Sequence, residues 1–206
     1  MPLPAFLHSP YTAAAYLLLA YLIGAIPVGF LLARQLAGID IREHGSGSTG
    51  ATNVKRVVGN KAGLATMVLD GVKGFVPTLG AVLLFDDLFP YHAIPLAAMV
   101  CAVLGHSKSV FINFKGGKSI MTSIGCFLAL QPVAILISVV VGVAIIKLSR
   151  TVSLGSMAGA TLLPFTIFYL SGSPVYTAVT GMLAVYVLYL HRGNIIRLLN
   201  QQENRL

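Results

Sequence analysis

The sequence predicts an all-α integral membrane protein with about seven transmembrane helices. Hydrophobic residues make up 56% of the 206 residues, charged residues make up only 10%, and the mean hydropathy is +0.85. Because a soluble domain carries roughly a quarter charged residues, this chain has too few of them to cover a surface in water. Apolar runs near the roughly 20 residues of a span recur along its length. We therefore expect one multi-pass domain over residues 1–206.

The apolar runs are separated by polar segments and by proline. Pro27 and Gly29 predict a kink inside the first run, and Gln131-Pro132 predicts that a helix ends within the fourth. The runs are residues 11–36, 62–85, 92–104 and 119–148, with two more on either side of residues 171–174. The polar segments are residues 37–61, 105–118 and 147–156 and the C-terminal HRGNIIRLLNQQENRL.

The basic residues test whether the chain turns at Gln131-Pro132. If the chain turns at Gln131-Pro132, Asp86 and Asp87, in a short turn marked by Pro90, lie on one side of the membrane. The following cations then all lie on the other side: Arg34, Arg42, Lys55, Arg56, Lys61, Lys108, Lys115, Lys118, Lys147, Arg150, Arg192, Arg197 and Arg205. One long helix would abolish this bias. The positive-inside rule then predicts an outside N-terminus and a cytoplasmic C-terminus, with the polar segments converging on the cytoplasmic side. The fourth helix, about a dozen residues, is short for a hydrocarbon core of about 30 Å.

The first polar segment carries a glycine-rich loop, and residues 45–56 read GSGSTGATNVKR. Glycines adopt positive φ without a steric penalty, so successive N–H groups can face an anion, and a following helix N-terminus adds a favourable dipole. Lys55 and Arg56 add full positive charge. The dinucleotide-binding spacing GxGxxG is also matched, but no βαβ context surrounds it. The segment therefore predicts a phosphate site, the alternative being a flexible polar loop.

The second polar segment reads GHSKSVFINFKGGK and ends in Lys115, Gly116, Gly117 and Lys118. It is not a Walker A loop, because Ile112 stands where the first glycine would be. Two lysines around a glycine pair predict a second phosphate cradle, and the alternative is a basic loop attracted to anionic lipid headgroups.

Other polar residues lie in or beside the spans. His191 and Asn194 share a helical face, although His191 could simply anchor the chain at the interface. His106 could belong to the site or could instead form a hydrogen bond with a buried backbone group. Asp70 and Lys73 are expected to form a structural ion pair within a span. Cys101 and Cys126 are expected to be buried thiols.

The sequence lacks the residues that several classes of enzyme require. The six carboxylates form no metal-binding cluster, no Gly-x-Ser-x-Gly elbow is present, and no histidine has an aspartate five positions later. The cations, which give a net charge of +8, lie at the ends of apolar runs, so nucleic acid is not expected as a partner. Phosphate holders without a strong nucleophile suit an activated substrate such as an acyl phosphate, which needs positioning and charge stabilisation.

The glycine-rich loop, the GHSKSVFINFKGGKS segment, VSLGS and HRGNIIRLL together resemble the successive motifs of the bacterial acyl-phosphate:glycerol-3-phosphate acyltransferases, the PlsY family. The resemblance covers nearly the whole chain. It implies a seven-helix inner-membrane enzyme with a site facing the cytoplasm. It also implies transfer of a fatty acyl group from acyl phosphate to the 1-hydroxyl of glycerol 3-phosphate, giving lysophosphatidic acid, without a metal or other cofactor and with a substrate phosphate as a candidate base.

The same resemblance implies which residues act. The catalytic residues would be Ser46, Arg56, Lys118, Ser156, His191 and Asn194. The substrate-binding residues would be Gly47, Gly50, Thr52, Asn53, Lys115, Gly116, Gly117 and Ser153. One departure is that Gln201-Gln202-Glu203 stands where the family has glycine-x-glutamate, which leaves the placement of Glu203 open.

A non-enzymatic anion or lipid-phosphate transporter is the alternative of a different class. Transporters often contain internal repeats and broken helices near the middle of the membrane. This sequence has no clear repeat, and its polar motifs lie at one face, which favours the enzyme.

Overall fold

A computed structural model describes residues 9–85 and 92–205, and these are helical with short connections. The helices are α1 Pro10–Ala25, α2 Val28–Ala37, α3 Ala51–Val57, α4 Asn60–Phe85, α5 Ala93–Ser107, α6 Ile120–Leu130, α7 Pro132–Ser149, α8 Val152–Ser171, α9 Pro174–Leu190 and α10 Arg192–Leu199. Two short 3-10 helices, Ile41–Glu43 and Val110–Ile112, lie in the polar segments. The chain divides into two compact units, Met1–Leu130 and Gln131–Leu206.

In the first unit, small residues let the helix backbones approach closely. A Cβ on Gly74 of α4 would collide with the carbonyl of Thr122 on α6, and one on Gly125 of α6 would collide with the backbone of Gly71. A Cβ on Gly24 of α1 would meet the backbone of α5 in the same way. Lipid is as apolar as the side chains, so close packing of this kind, rather than hydrophobic exclusion, drives helix association in a membrane.

The predicted kink in the first apolar run is confirmed as a break between α1 and α2 at Ile26 and Pro27. The broken helix leaves carbonyls that need donors. Ser109 Oγ donates to the carbonyl of Ala25 at 2.5 Å, and Lys73 Nζ donates to that of Ile26 at 2.7 Å. Such satisfaction by neighbouring elements is what makes an interrupted helix tolerable in lipid.

In the second unit, α7 and α8 cross where glycines face each other. A Cβ on Gly155 of α8 would collide with the carbonyl of Gly142 on α7, and Gly159 lies beside Ser138. The chain then bends by 58° between α9 and α10, at His191. The candidate site residues of this unit lie at this bend and near the start of α8.

Over the described ranges, five helical segments are long and apolar enough to cross a membrane, or up to six if α9 and α10 count as one bent span. The predicted end of a helix at Gln131-Pro132 is confirmed, because α6 ends at Leu130 and α7 begins at Pro132. The predicted short fourth helix is confirmed as α6, with 11 residues. The predicted turn at Asp86, Asp87 and Pro90 lies outside the described residues.

Two expectations are wrong in part. The break predicted at residues 147–156 is present at Arg150 and Thr151, but it is shorter than expected, because α7 continues to Ser149 and α8 already begins at Val152, so VSLGS is helical. Cys126 is buried as expected, but Cys101 is partly exposed on α5. The pairing of Asp70 with Lys73 is confirmed, with 2.8 Å between Asp70 Oδ1 and Lys73 Nζ.

Candidate functional site

The glycine-rich loop of the first unit connects the 3-10 helix Ile41–Glu43 to α3. Gly45 and Gly47 have φ of +60° and +69°, a conformation that side chains other than glycine rarely adopt. Gly50 has an ordinary φ of −78° and is the N-cap of α3. Positive φ is therefore used at two of the three predicted glycines, and the third starts the helix.

Asn53 shapes this loop from inside. Its side chain is 2% exposed. Its Nδ2 donates to the carbonyls of His44 at 3.0 Å and Ser48 at 2.9 Å, with a longer contact of 3.4 Å to Ile41, while its Oδ1 accepts from the N–H of Ser46 at 2.9 Å. Asn53 was predicted to contact substrate, but its side-chain amide instead binds the backbone of the loop itself.

The Gly116-Gly117 pair folds back onto the end of α5. The N–H of Gly116 donates to the carbonyl of Ser107 at 3.1 Å, and that of Gly117 donates to the carbonyl of His106 at 3.2 Å. A Cβ on Gly116 would collide with the His106 carbonyl, and one on Gly117 would collide with the His106 ring. These glycines are required by close approach rather than by positive φ.

The two predicted phosphate loops meet at Thr49 and Gly117. A Cβ on Gly117 would lie 3.2 Å from the hydroxyl of Thr49, which is buried, and Gly29 of α2 leaves room for the Thr49 backbone. The first and second motifs are therefore brought together within the first unit. Of the remaining predicted residues there, Lys118 and Gly50 are partly buried, and the others are exposed: Ser46, Gly47, Thr52, Arg56 and Lys115.

Arg42 also contacts the second polar segment, although the sequence analysis did not predict it as a site residue. Its Nη1 donates to the carbonyl of Ile112 in the second polar segment at 3.1 Å, and its guanidinium lies 5.0 Å from the ring centre of Phe30. It also binds Asp40, with 2.6 Å between Nη2 and Oδ2, and these hydrogen bonds lower the pKa of Asp40 to about 2. The available signal was the Asp-x-Arg spacing just before the glycines.

In the second unit, the third and fourth motifs meet at Glu203. Its Oε1 accepts from Ser153 Oγ at 2.9 Å and Asn194 Nδ2 at 2.6 Å, and its Oε2 accepts from Arg197 Nε at 2.7 Å. Burial raises the pKa of Glu203, but the hydrogen bonds from Asn194, Ser153 and Arg197 outweigh it, so the pKa lies below its ordinary value. Gln201 has a φ of +56°, the conformation suited to the glycine that the family pattern has there, so Glu203 is still placed for these contacts.

His191 lies at the bend between α9 and α10 and is 3% exposed. Its Nδ1 is 2.8 Å from the carbonyl of Val187. A carbonyl can only accept, so Nδ1 carries the hydrogen, and in the neutral ring Nε2 is then the proton-accepting nitrogen. Asn194 is buried one helical turn further on, and Ser156 is partly buried in the first part of α8.

Replacing Glu203 by glutamine is expected to lower the free energy of unfolding at pH 7 by about 1–3 kcal/mol, because a charged acceptor of three hydrogen bonds is lost. The pKa of Glu203 is lower in the folded than in the unfolded protein, where it is near 4.5. The carboxylate's contribution is thus full above pH 4.5 and is lost as the pH falls through the folded pKa. Thermal unfolding in detergent between pH 3.5 and 7 measures this.

The matched control is Glu43→Gln, which changes an exposed carboxylate and should unfold like the wild type. A stability gap between Glu203→Gln and wild type that stays constant as the pH falls would contradict the role assigned to the ionised carboxylate.

Within the described ranges, no group of three or more His, Cys, Asp or Glu side chains is arranged to hold a metal ion. In the first unit the two glycine-containing loops meet at Thr49 and Gly117, and in the second unit Ser153, Asn194 and Arg197 meet at Glu203. Together, the fold and these polar clusters define a multi-pass helical membrane protein in which glycine-rich and basic segments pack against one another.

Comparison with known proteins assigns the family. A family model described as glycerol-3-phosphate acyltransferase matches residues 14–201. The chain is 44% identical to a glycerol-3-phosphate acyltransferase of Syntrophotalea carbinolica, over 92% of this chain and 95% of that protein, and 44% identical to one of Geobacillus kaustophilus, over 94% and 95%. Among solved structures it is similar to PlsY, an integral membrane glycerol 3-phosphate acyltransferase, in its glycerol 3-phosphate form, with 35% identity, a TM-score of 0.89 and coverage of 95% of this chain and 96% of that one. The chain belongs to the glycerol-3-phosphate acyltransferase family and is an integral membrane acyltransferase.

Proposed function

We propose that this acyltransferase moves a fatty acyl group from acyl phosphate to the 1-hydroxyl of sn-glycerol 3-phosphate, as a step of phospholipid synthesis. The hydroxyl oxygen bonds to the acyl carbonyl carbon and the bond from that carbon to the phosphate oxygen breaks. The hydroxyl proton leaves with the departing phosphate, and the other product is 1-acyl-sn-glycerol 3-phosphate, or lysophosphatidic acid. Two similar PlsY structures, described as glycerol 3-phosphate and lysophosphatidic acid forms, support this acceptor and product.

The observation that carries the proposal is the contact between the two glycine-containing loops at Thr49 and Gly117. The glycine-rich loop leads into the cation of Arg56, and the second loop leads into the cation of Lys118. Such groups bind phosphate oxygens through charge-assisted hydrogen bonds. An acyl phosphate already has a good leaving group, so holding and stabilising charge is sufficient chemistry, and no metal or cofactor is proposed.

The proposed roles follow the motifs. We assign catalysis to Ser46, Arg56, Lys118, Ser156, His191 and Asn194. We assign substrate binding, directly or through the backbone they shape, to Gly47, Gly50, Thr52, Asn53, Lys115, Gly116, Gly117 and Ser153.

We also propose a single domain with seven spans in the bacterial inner membrane, with the N-terminus outside and the polar loops facing the cytoplasm. The distribution of lysine and arginine supports this orientation. Over residues 9–85 and 92–205, the five long apolar segments, the shorter apolar helix α6 and the bent pair of α9 and α10 together make seven apolar segments, which supports this proposed count.

The test uses purified full-length protein in lipid cubic phase with EDTA. Palmitoyl phosphate and glycerol 3-phosphate are expected to give phosphate and lysophosphatidic acid, whereas palmitoyl-CoA and glycerol 3-phosphate should give no product. Liquid chromatography with mass spectrometry follows the lipid, and a colorimetric assay follows the phosphate.

The comparison of donors tests the identity of the acyl donor, and the reaction with EDTA tests whether a metal is needed. Product from palmitoyl-CoA alone would overturn the donor while leaving the acyltransferase class intact. Loss of activity on adding EDTA, restored by a divalent cation, would overturn the metal-free site.

A further inference from the structure

A buried cluster in the first unit contains an ion pair and a histidine, and none of its three residues is among the predicted site residues. Asp70 and Lys73 of α4 and His106 of α5 are 2%, 6% and 6% exposed. Lys73 Nζ lies 2.8 Å from Asp70 Oδ1 and also binds the Ile26 carbonyl at the break between α1 and α2. Buried charges are costly in a membrane protein and are therefore functional candidates.

His106 links this cluster to the second phosphate loop. Its Nδ1 lies 3.5 Å from Asp70 Oδ1, and the Nε2 side of its ring lies against Gly117, where a Cβ would collide with it. Its carbonyl also accepts the N–H of Gly117 at 3.2 Å. The ring therefore lies between Asp70 on one side and Gly117 on the other.

Lys118 is held from both directions along the chain. Gly117, before it, is bonded to His106, and Ser119, after it, donates from Oγ to the carbonyl of Val103 at 2.9 Å. The backbone of Lys118 is therefore anchored to α5 at two neighbouring positions. The His106 ring packs against Gly117 beside the first of these anchors.

We propose that Asp70 is a positioning residue for substrate binding: it orients His106, which supports Gly117 and so places Lys118 for the phosphate of a substrate. The inference rests on the proposed phosphate-binding role of Lys118. Asp70 itself contacts no substrate in this arrangement, since it acts through the histidine. Lys73 neutralises the carboxylate and lets it remain buried.

The test variant is the double substitution Asp70→Asn with Lys73→Met. Asp70→Asn alone would leave Lys73 as an uncompensated buried charge, which is strongly destabilising, whereas removing both charges together is often tolerated. In full-length protein in lipid nanodiscs, hydrogen exchange at the Gly116 and Gly117 amides should rise about tenfold. Trypsin cleavage after Lys115 and Lys118 should accelerate with it.

The separate effects on KM and kcat distinguish a positioning role of Asp70 from a merely structural one. The KM for glycerol 3-phosphate is expected to rise roughly 10-fold or more while kcat changes about 3-fold at most, since support rather than chemistry is lost. His106→Ala should have the same effect, and adding it to the double variant should increase KM no further, because both changes act through one histidine.

Thr78→Val is the matched control, because it removes a buried hydrogen bond to Gly74 from the same helix, away from His106. It should leave exchange at the loop and KM unchanged. Unchanged amide exchange at Gly116 and Gly117 in the double variant, or effects on KM that multiply with those of His106→Ala, would overturn the proposal. If the wild type shows no acyl transfer, the proposed function fails, and the exchange and cleavage results still decide whether Asp70 positions the loop.

Discussion

Replacing Arg56 by alanine is expected to lower kcat/KM for glycerol 3-phosphate by about 100- to 1000-fold, and Lys118→Ala should do the same. Each change removes a cation that we propose to hold the phosphate of a substrate. Arg56 is exposed in the last turn of α3, and Lys118 is partly buried beside the glycine pair. The melting temperature of the Arg56 variant should stay within about 2 °C of wild type, as for most surface substitutions.

The measurement is initial rates with palmitoyl phosphate at varied glycerol 3-phosphate, in nanodiscs, with thermal unfolding of each variant. Lys61→Ala and Lys108→Ala are the matched controls, because both remove exposed cations that lie beside these loops and outside the proposed site. Their kcat/KM should remain within about threefold of wild type, because exposed charges are largely screened by salt. Equal losses in all four variants would mean that general basic charge near the loops, rather than these two side chains, is what matters.

Replacing Asn53 by aspartate is expected to abolish most activity, by about 100-fold or more, and to destabilise the fold by about 3 kcal/mol. Aspartate has nearly the same shape and keeps the acceptor for the Ser46 N–H. The donor Nδ2, however, becomes an oxygen facing the carbonyls of His44 and Ser48 at about the same distances. A buried carboxylate against carbonyl oxygens repels them, so the glycine-rich loop loses the shape that the Asn53 amide holds.

Asn60→Asp is the control for Asn53→Asp, since it makes the same amide-to-carboxylate change at an exposed position at the start of α4. It should retain normal activity and stability. Activity and thermal unfolding are measured for both variants. Near-normal turnover by Asn53→Asp would show that the loop keeps its shape without the amide donor.

Much of the architecture followed from local features of the sequence. Run lengths and the shortage of charge predicted a helical membrane protein, because a chain in lipid must satisfy its backbone internally. Proline marked both interruptions, at Pro27 and Pro132. The three-residue spacing of Asp70 and Lys73 predicted their pairing, because residues that far apart on a helix face each other. The boundaries of VSLGS were misjudged because serines and a glycine read as a break, whereas the chain around Ser153 is already helical.

The class of protein, its polar motifs and its family resemblance could be predicted before folding was considered, since each depends on residues close together along the chain or on motif identity. Which polar groups are used inside the protein became clear only from the packing of the helices. Asn53 proved to shape its own loop, His106 proved to join a buried ion pair to Gly117, and Glu203 proved to collect Ser153 from 50 residues away. Local periodicity carries no information about such pairs, because they form only when distant helices pack and the buried polar groups must find partners.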